Sequence, residues 1–276
     1  MIFQGKHIFN ASFDDYAGDY NSVRPGYPAQ LFRDIQNHCE VGKDSKLLEI
    51  GAGSGIATME LAKLGGSVVG IEPGANLAKI AKERTKTLDN VKIVETMFES
   101  FPAQDKFDVI LAFTAFHWID GAVKYQKVEE LLKNEGYLVL IWNSFFQSES
   151  SVATEVNEAY REFLPEIYEK GLQTTEVNRK VLAKLNNREI ETYESKLFCP
   201  IFQQKYLVSY QYDANTYPKL LNTFPKIVAI EEARRKKFLS CISKIVERHQ
   251  TITLPVLTTM IVCEKKESFL TKVLKG

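Results

Sequence analysis

The sequence predicts an α/β fold: a doubly wound, mostly parallel seven-stranded sheet with an antiparallel last strand and a helical lid insertion. Three observations lead to this prediction. Apolar runs of strand length alternate with helical patterns over residues 46–143, as in parallel sheets that are buried on both faces. A glycine-rich turn directly follows the first apolar run. A second helical region, residues 144–189, separates the fifth apolar run from the sixth.

The first half of the chain contains five of the predicted strands. In each strand nearly every residue is apolar, so neither face can be left in water. The segments between them carry apolar residues three or four positions apart, which is typical of helices. The strands are Lys46–Ile50, Ser67–Ile71, Val91–Val94, Phe107–Phe113 and Gly136–Trp142, and the helices cover Ile56–Leu64, Ala75–Ala81 and Val123–Leu132.

The second half lacks this regular alternation and is predicted to hold the lid and the end of the sheet. Helices are expected over Val152–Ile167, Thr175–Leu185, Ala214–Leu221 and Lys226–Arg248, and strands over Ile190–Ser209 and Val256–Cys263. No linker is visible, so we expect one domain, 1–276. Its parts are an N-terminal segment (1–45), a core (46–143), the lid (144–189) and a C-terminal part that completes the sheet (190–276).

The composition is that of an ordinary soluble protein, with 45% hydrophobic and 25% charged residues. Thirty-five basic residues balance thirty-five acidic ones, so no overall field favours nucleic acid or an anionic membrane. The cysteines form no CxxC pair and the four histidines are scattered, so no metal site is expected. Because neither a signal peptide nor a membrane-spanning run is visible, we expect a cytoplasmic protein.

The glycine-rich turn, Gly51-Ala52-Gly53-Ser54-Gly55, lies between a predicted strand and a predicted helix. Glycine permits a tight turn, and because it lacks a Cβ it also lets a ligand approach the backbone closely. Glu72 ends the second strand about twenty residues further on, where an acid can accept hydrogen bonds from a ribose diol. The pattern predicts a cofactor that contains a ribose. A structural turn that binds nothing is the alternative.

A nicotinamide dinucleotide would use the same architecture, and three details disfavour it. The spacing is GxGxG, whereas the dinucleotide fingerprint has its last glycine one place later. Glu49 stands two residues before Gly51, where a carboxylate would repel a pyrophosphate and attract a cation. The first strand also begins only at Lys46, which leaves an N-terminal segment that can fold over the site.

At these residues the sequence resembles a known family, the class I S-adenosylmethionine-dependent methyltransferases, and within it the small-molecule type 11 group. The similarity covers residues 13–143, about half of the chain, in the family's order and spacing. The similar segments are Phe13–Tyr20, Val23–Pro28, Leu47–Gly55, Val69–Pro73, Phe98–Pro102, Phe107–Ile110 and Ala115–Trp118. The resemblance implies a Rossmann-like methyltransferase fold, S-adenosyl-L-methionine as cofactor, and residues 1–45 as the segment that covers it.

The resemblance also implies which residues hold the cofactor. In the family, the glycines line its methionine and ribose parts, the acid matching Glu72 binds the ribose hydroxyls, and the residue matching Pro73 packs on the adenine. An aspartate often meets the adenine amine, but Met97 stands here. Either Phe98 through its backbone or Glu99 through its side chain can replace that contact, and a solvated Glu99 at a helix start is an equal alternative. The turn residues Ala52 and Ser54 and the strand residue Phe113 complete this part of the set.

Tyr20 and Arg24 are the candidates for an N-terminal clamp on the cofactor. A guanidinium can pair in bidentate fashion with the methionine carboxylate. An Arg24 that caps a surface loop is the alternative.

His117 and Trp118 directly follow the fourth strand, at the edge of the sheet where the methyl group is expected. His117 is the candidate general base, because an imidazole with an ordinary pKa near 6.5 can remove a proton at neutral pH. It can equally serve only to orient the acceptor. Trp118 is the candidate wall of the acceptor pocket, with a purely structural role as its alternative.

We therefore expect in-line, metal-independent transfer of a methyl group to a small-molecule acceptor, for which alignment and exclusion of water are the main requirements. Similarity to trans-aconitate-type enzymes points to a carboxylate as one acceptor. Two alternatives stay open. One is an RNA or protein methyltransferase, for which the basic run Arg234–Lys237 is the only sequence signal. The other is an NAD(P)-dependent oxidoreductase. No nucleic-acid or membrane partner is expected, and the oligomeric state is not predicted.

Overall fold

A computed structural model describes residues 14, 16–168, 174–267 and 269. Three parts of the sequence-based predictions lie outside these residues. They are residues 1–13 and 15 of the N-terminal segment, residues 169–173 of the lid, and residue 268 with 270–276 at the C-terminus.

Seven strands form one sheet in the described part of the chain. The bounds of the first four are close to those predicted, the fifth and seventh are longer at both ends, and the sixth begins later than predicted. The strands are β1 (Lys46–Ile50), β2 (Ser67–Glu72), β3 (Val91–Glu95), β4 (Phe107–Phe113), β5 (Leu132–Phe145), β6 (Phe198–Tyr212) and β7 (Ile252–Lys265). The order across the sheet is β3-β2-β1-β4-β5-β7-β6. Six strands are parallel and β7 is antiparallel, which confirms the predicted doubly wound α/β sheet.

The strand order places a crevice beside β1. This strand pairs with β2 on one side and with β4 on the other, and both pairs are parallel. Along the chain, β1 connects to β2 on one side of this point, whereas β4 connects to β5 on the other. The connections that leave the carboxyl ends of β1 and β4 therefore run in opposite directions, and ligands of doubly wound sheets bind at such a point. The residues of β1 and β4 are buried almost throughout, which accounts for their unbroken apolar runs.

The three helices predicted in the first half of the chain are present, two further helices precede β1, and the second half departs from the prediction in part. The helices are α1 (Ala17–Val23), α2 (Ala29–His38), α3 (Ile56–Ala62), α4 (Ala75–Thr85), α5 (Lys124–Leu131), α6 (Ser151–Phe163), α7 (Thr174–Glu194), α8 (Thr216–Leu221), α9 (Pro225–Val228) and α10 (Glu232–His249). Two single-turn 3₁₀ helices, Phe98–Ser100 and Phe116–Trp118, follow β3 and β4.

Two predictions in the second half were wrong. The β-like stretch expected from Ile190 is helical up to Glu194, because the apolar residues that suggested a strand lie exposed on the last turns of α7. The helix expected over Lys226–Arg248 is interrupted. The Glu231 carboxylate accepts the backbone N–H groups of Ala233 and Arg234, and it thereby caps a new helix, α10.

Contacts divide the chain into two compact units. Unit 1 comprises Met1–Pro25, Ser144–Lys184 and Leu207–Leu257, and unit 2 comprises Gly26–Asn143, Leu185–Tyr206 and Thr258–Gly276. In unit 1, residues of α6 and α8 pack around the fully buried Phe238 of α10. The predicted lid residues 144–184 thus share a core with residues 207–257, a grouping that the sequence did not predict. The expected organisation as one domain with the four stated parts stays a prediction.

Unit 2 contains the larger core, in which α2 and α3 pack on one face of the sheet. Leu31 and Ile35 of α2 and Leu61 of α3 are fully buried against strand residues such as Leu47 and Val109. Among the described helices, none is long and apolar enough to cross a membrane.

Candidate active site

The glycine-rich turn joins β1 to α3 in a backbone conformation that most residues avoid. Gly51, Gly53 and Gly55 have φ angles of 72°, 57° and 79°. The N–H groups of Gly51 and Ala52 both donate to the Ile71 carbonyl of β2, at 2.9 Å. The tight turn that the glycines predicted is present, and these two hydrogen bonds fix it to the neighbouring strand.

Gly51 lacks a side chain for a reason that the sequence did not show. A Cβ at this position would lie 2.5 Å from the Cβ of Ala115, which is part of the segment after β4. Gly55 is similarly close to α4, because its Cβ would lie 3.3 Å from that of Ala81. Packing therefore requires glycine at Gly51 whether or not a ligand approaches it, and it leaves little room for a side chain at Gly55.

Glu72, at the end of β2, lies directly beside the glycine turn. One carboxylate oxygen accepts the N–H of Gly53 and the other that of Gly74, both at 2.9 Å. The side chain is only 7% exposed. A carboxylate is a strong hydrogen-bond acceptor, so this group is of the type that can bind the hydroxyls of a ligand. Pro73 follows directly and is exposed.

Glu49 is buried beneath the turn rather than facing a solvent-filled site. Its side chain is 0% exposed, and one oxygen accepts the Thr58 hydroxyl at 2.5 Å. Its second oxygen, like the hydroxyl of the buried Ser54, has no hydrogen-bond partner among the described residues. Burial, with a smaller contribution from Glu72, raises the Glu49 pKa to about 8. In the protein without a ligand, Glu49 is therefore mostly protonated at neutral pH.

This protonation corrects one step of the sequence argument. The sequence predicted a charged Glu49 that would repel a pyrophosphate, whereas most of that charge is absent near pH 7. A cation placed beside the carboxyl would favour its ionised form.

The buried Glu49 should make stability depend on pH. Its pKa is about 8 in the folded protein against an ordinary value of 4.5, so the unfolded chain releases its proton first. The stabilisation is complete below pH 4.5, decreases as the pH rises, and is lost above pH 8. Glu49→Gln mimics the protonated form, so its free energy of unfolding should increase relative to the native protein between pH 5 and 8. Chemical denaturation across this range measures the difference.

Glu95→Gln is the matched control, because Glu95 is exposed at the end of the neighbouring strand β3, opposite Glu72. Between pH 5 and 8, the stability difference from the native protein should rise more steeply for Glu49→Gln than for Glu95→Gln. Equal slopes for the two variants would contradict the assigned protonation.

The segment after β3 carries Met97, Phe98 and Glu99. Phe98 is buried, and Met97 is partly exposed. A Glu99 carboxylate oxygen accepts the backbone N–H of Asp120 at 3.3 Å, while its carbonyl oxygen accepts the Lys127 ammonium at 2.7 Å. The Glu99 side chain is therefore not simply solvated. It accepts a hydrogen bond from Asp120, at the end of the segment that follows β4. The predicted adenine contacts of this segment stay predictions.

Phe113, at the end of β4, is a core residue in the structure. Its ring centroid lies 4.8 Å from that of Tyr27 and 6.0 Å from that of Phe32. This packing accounts for its apolar side chain without a ligand. Its expected contact with the cofactor stays a prediction.

His117 and Trp118 lie in the 3₁₀ turn that follows β4, in the same unit as Glu72. Their rings are 4.9 Å apart between centroids, and both side chains are partly buried. The turn is supported from below by the buried Phe116, whose ring packs edge-on against Tyr125 at 5.1 Å. The structure therefore places both predicted residues at the carboxyl edge of the sheet, on a well-packed base.

Tyr20 and Arg24 belong to unit 1, in α1 and directly after it. The Arg24 guanidinium donates to the hydroxyl and the carbonyl of Thr223, both at 3.0 Å. It also lies 5.0 Å from the ring centroid of Tyr20 and 4.7 Å from that of Phe224. Arg24 therefore has partners within its own unit that the sequence did not predict, and its role as a cofactor clamp stays a prediction.

Three residues at the edge of the sheet were missed. Thr114 directly follows β4 with a φ of 57°, although a β-branched residue rarely adopts positive φ and such a backbone costs on the order of 1–3 kcal/mol. Its hydroxyl accepts the N–H of Asn143, and the Asn143 side chain accepts the Thr258 hydroxyl. The sequence provides little indication of these residues, because each is a single polar residue at the end of an apolar strand or within one.

The sequence of this chain is similar to those of known methyltransferases. A family model described as a methyltransferase domain matches residues 48–140. An uncharacterized methyltransferase of Alkaliphilus oremlandii is 32% identical over 153 residues, which are 51% of this chain and 69% of the relative. A Saccharomyces cerevisiae protein named "Probable S-adenosylmethionine-dependent methyltransferase" is 28% identical over 132 residues, 46% of this chain and 44% of the relative.

Solved structures agree in fold. A protein of Anaeromyxobacter dehalogenans, described as a candidate type II methyltransferase, superposes with a TM-score of 0.59 at 16% identity, covering 88% of this chain and 97% of its own. The glycine turn with its two flanking acids, the strand order and the similarity to the Alkaliphilus protein lead to the same conclusion. The chain belongs to the class I methyltransferases.

Proposed function

We propose that this methyltransferase uses S-adenosyl-L-methionine to methylate a small-molecule acceptor without a metal ion. The observation that carries the proposal is the position of Glu72. Its carboxylate is held beside the glycine turn by the N–H groups of Gly53 and Gly74, and a carboxylate accepts hydrogen bonds from hydroxyl groups. A ribose diol offers two such donors, close to a turn at which a ligand can approach the backbone.

The residues around the turn fit this cofactor. The second oxygen of Glu49 and the hydroxyl of Ser54 are buried polar atoms without a partner in the described part of the chain, and a bound ligand or water would satisfy them. Once bound, the cofactor supplies an electrophilic methyl group on a sulfonium. The positive charge of such a ligand favours the ionised form of Glu49, so binding should be accompanied by partial loss of the Glu49 proton.

The protein's remaining task is to hold the acceptor in line and to exclude water. His117 is assigned the removal or orientation of the acceptor's proton, and Trp118 the wall of the pocket. Both lie in one turn at the carboxyl edge of the sheet. No group of three or more His, Cys, Asp or Glu side chains that could hold a metal ion occurs among the described residues, and independence from metal stays a prediction.

A small acceptor is favoured over RNA by the pairing of the basic run in α10. Arg234 pairs with Glu166, and Lys236 pairs with Glu232. Arg235 donates to the Val228 carbonyl and to the Tyr16 hydroxyl. Three of the four cations thus have partners within the protein, which weakens this run as a phosphate-binding surface. The oxidoreductase alternative is set aside by membership of the methyltransferase family.

The proposal is tested by methyl transfer from labelled S-adenosyl-L-methionine to a panel of small carboxylic acids, phenols and amines, with total RNA and protein extract in parallel. We expect label in at least one small molecule and none above background in the macromolecules. Label that enters RNA in a salt-sensitive manner, or enters protein, would contradict the small-molecule acceptor.

His117→Ala should slow methyl transfer and leave cofactor binding nearly unchanged. Loss of a general base lowers kcat by roughly 100-fold or more, whereas a ring that only orients the acceptor costs less. Steady-state kinetics and calorimetry with S-adenosylhomocysteine measure the two effects separately. His38→Ala is the control, since His38 is exposed on α2 and stacks on Phe202. Equal losses of turnover and of cofactor affinity would show that the role assigned to His117 is wrong.

A further inference from the structure

The segment that carries His117 and Trp118 begins at a strained residue. Thr114 has a φ of 57°, and a glycine or an asparagine would adopt this conformation more easily. Two hydrogen bonds hold it there: its N–H donates to the Ile141 carbonyl at 2.7 Å, and its hydroxyl accepts the Asn143 N–H at 3.1 Å. The backbone therefore turns away from β4 at Thr114 and brings Ala115 against Gly51.

Asn143 connects this strained residue to two other parts of unit 2. Its side-chain oxygen accepts the Thr258 hydroxyl of β7 at 2.6 Å, and its side-chain nitrogen donates to the Gly26 carbonyl at 3.3 Å. One residue thus ties the ends of β4 and β5 to β7 and to the segment before α2. Both polar side-chain atoms of Asn143 have partners within the protein, which favours a role in fixing geometry.

The far end of the same segment is also fixed. The Asp120 N–H donates to the Glu99 carboxylate, and Lys127 holds the Glu99 carbonyl. Residues 114–120 are therefore anchored at both ends, with His117 and Trp118 between the anchors. A strained backbone such as that of Thr114 persists only where surrounding contacts impose it. Such residues are concentrated at functional sites, whose side chains must already be held in the reactive geometry when the substrate binds.

We propose that Thr114, Asn143 and Thr258 form a chain of positioning residues that holds His117 and Trp118 in the geometry required for methyl transfer. The inference rests on the proposed function. It predicts that loss of the chain impairs turnover more than it impairs cofactor binding, because the glycine turn and Glu72 have hydrogen bonds of their own. It also predicts that Trp118 becomes more mobile.

Two neighbouring threonines of β7 provide the test. Thr258 and Thr259 are 2% and 3% exposed, but only Thr258 donates to Asn143, while the Thr259 hydroxyl has no partner within the described residues. Valine replaces either one at nearly constant volume. The chain has two tryptophans, so a Trp142→Phe background leaves Trp118 as the only fluorescent reporter of that type. Acrylamide quenching then reports its mobility in Thr258→Val, Thr259→Val and Thr258→Ser.

We expect Thr258→Val to increase quenching of Trp118 and to lower kcat roughly tenfold, since small misplacements at a reacting centre are costly. The affinity of Thr258→Val for S-adenosylhomocysteine should change by less than about threefold. Thr258→Ser keeps the hydroxyl, so its Trp118 quenching and its kcat should be close to those of the parent. Thr259→Val should resemble the parent. Thr114→Gly, which adopts the same φ without strain, should keep the melting temperature while quenching rises.

Equal quenching in Thr258→Val and Thr259→Val would overturn the inference, even if no acceptor is yet available for kinetics. The proposed function fails in a different way. If the parent does not bind S-adenosylhomocysteine, the cofactor assignment is wrong, whereas binding together with indistinguishable valine variants contradicts only the positioning chain.

Discussion

Glu72→Ala should weaken binding of S-adenosylhomocysteine by roughly 100-fold or more, the largest effect that we expect from any single side chain on the cofactor. Hydrogen bonds to a charged group contribute about 1.5–3 kcal/mol each, and a tenfold change in affinity corresponds to about 1.4 kcal/mol. The substitution removes the proposed acceptor of the ribose hydroxyls. It also releases the N–H groups of Gly53 and Gly74, so the turn loses part of its support. Isothermal titration calorimetry measures the affinity.

Two further variants separate the contact from general effects on the sheet. Glu95→Ala removes an exposed glutamate from the position opposite Glu72 on β3 and should leave the affinity unchanged. Glu72→Gln keeps the size of the side chain but has only one acceptor oxygen. Its amide NH₂ group would also lie against a backbone N–H, so this variant too should bind S-adenosylhomocysteine weakly. Native affinity in Glu72→Gln would show that the charge and the second acceptor are not needed.

Gly51→Ala should destabilise the fold more than any other glycine substitution in the turn. The new methyl group would lie 2.5 Å from the Cβ of Ala115, and the φ of 72° is unfavourable for alanine. Overpacking costs about 1–3 kcal/mol and the left-handed conformation adds roughly 1–2 kcal/mol, so we expect a loss of about 2–5 kcal/mol in the free energy of unfolding. Urea denaturation measures it.

Gly121→Ala is the matched control, because a Cβ at this exposed position meets nothing within 4 Å. The double variant Gly51→Ala with Ala115→Gly removes the clash but keeps the backbone strain, so it should recover part of the lost stability. If the double variant is no more stable than Gly51→Ala, the contact with Ala115 is not the cause of the loss.

The parallel half of the fold could be predicted because its central strands, β1 and β4, are buried on both faces. An unbroken apolar run such as Phe107–Phe113 has few other interpretations once helical patterns flank it. The site followed from the same pattern, since Glu72 and the glycine turn stand at strand ends that a doubly wound sheet brings together. Local sequence was enough for these features.

Features that depend on distant contacts could not be predicted. The exposed Ile190 and Tyr193 resemble strand residues, and only their position on the last turns of α7 shows otherwise. The pKa of Glu49 depends on its complete burial, and the need for glycine at Gly51 depends on Ala115, 64 positions away in the sequence. The bond between Asn143 and Thr258 spans 115 positions. A single sequence carries no signal for such pairs.

The central claim is that the glycine turn and Glu72 bind S-adenosyl-L-methionine, and calorimetric titration tests it most directly. The purified protein would be titrated separately with S-adenosylmethionine, S-adenosylhomocysteine and NAD. We predict binding of one equivalent of each of the first two, lost in Glu72→Ala but retained in Glu95→Ala, and no heat of binding from NAD. Tight binding of NAD, with none of S-adenosylhomocysteine, would contradict the account.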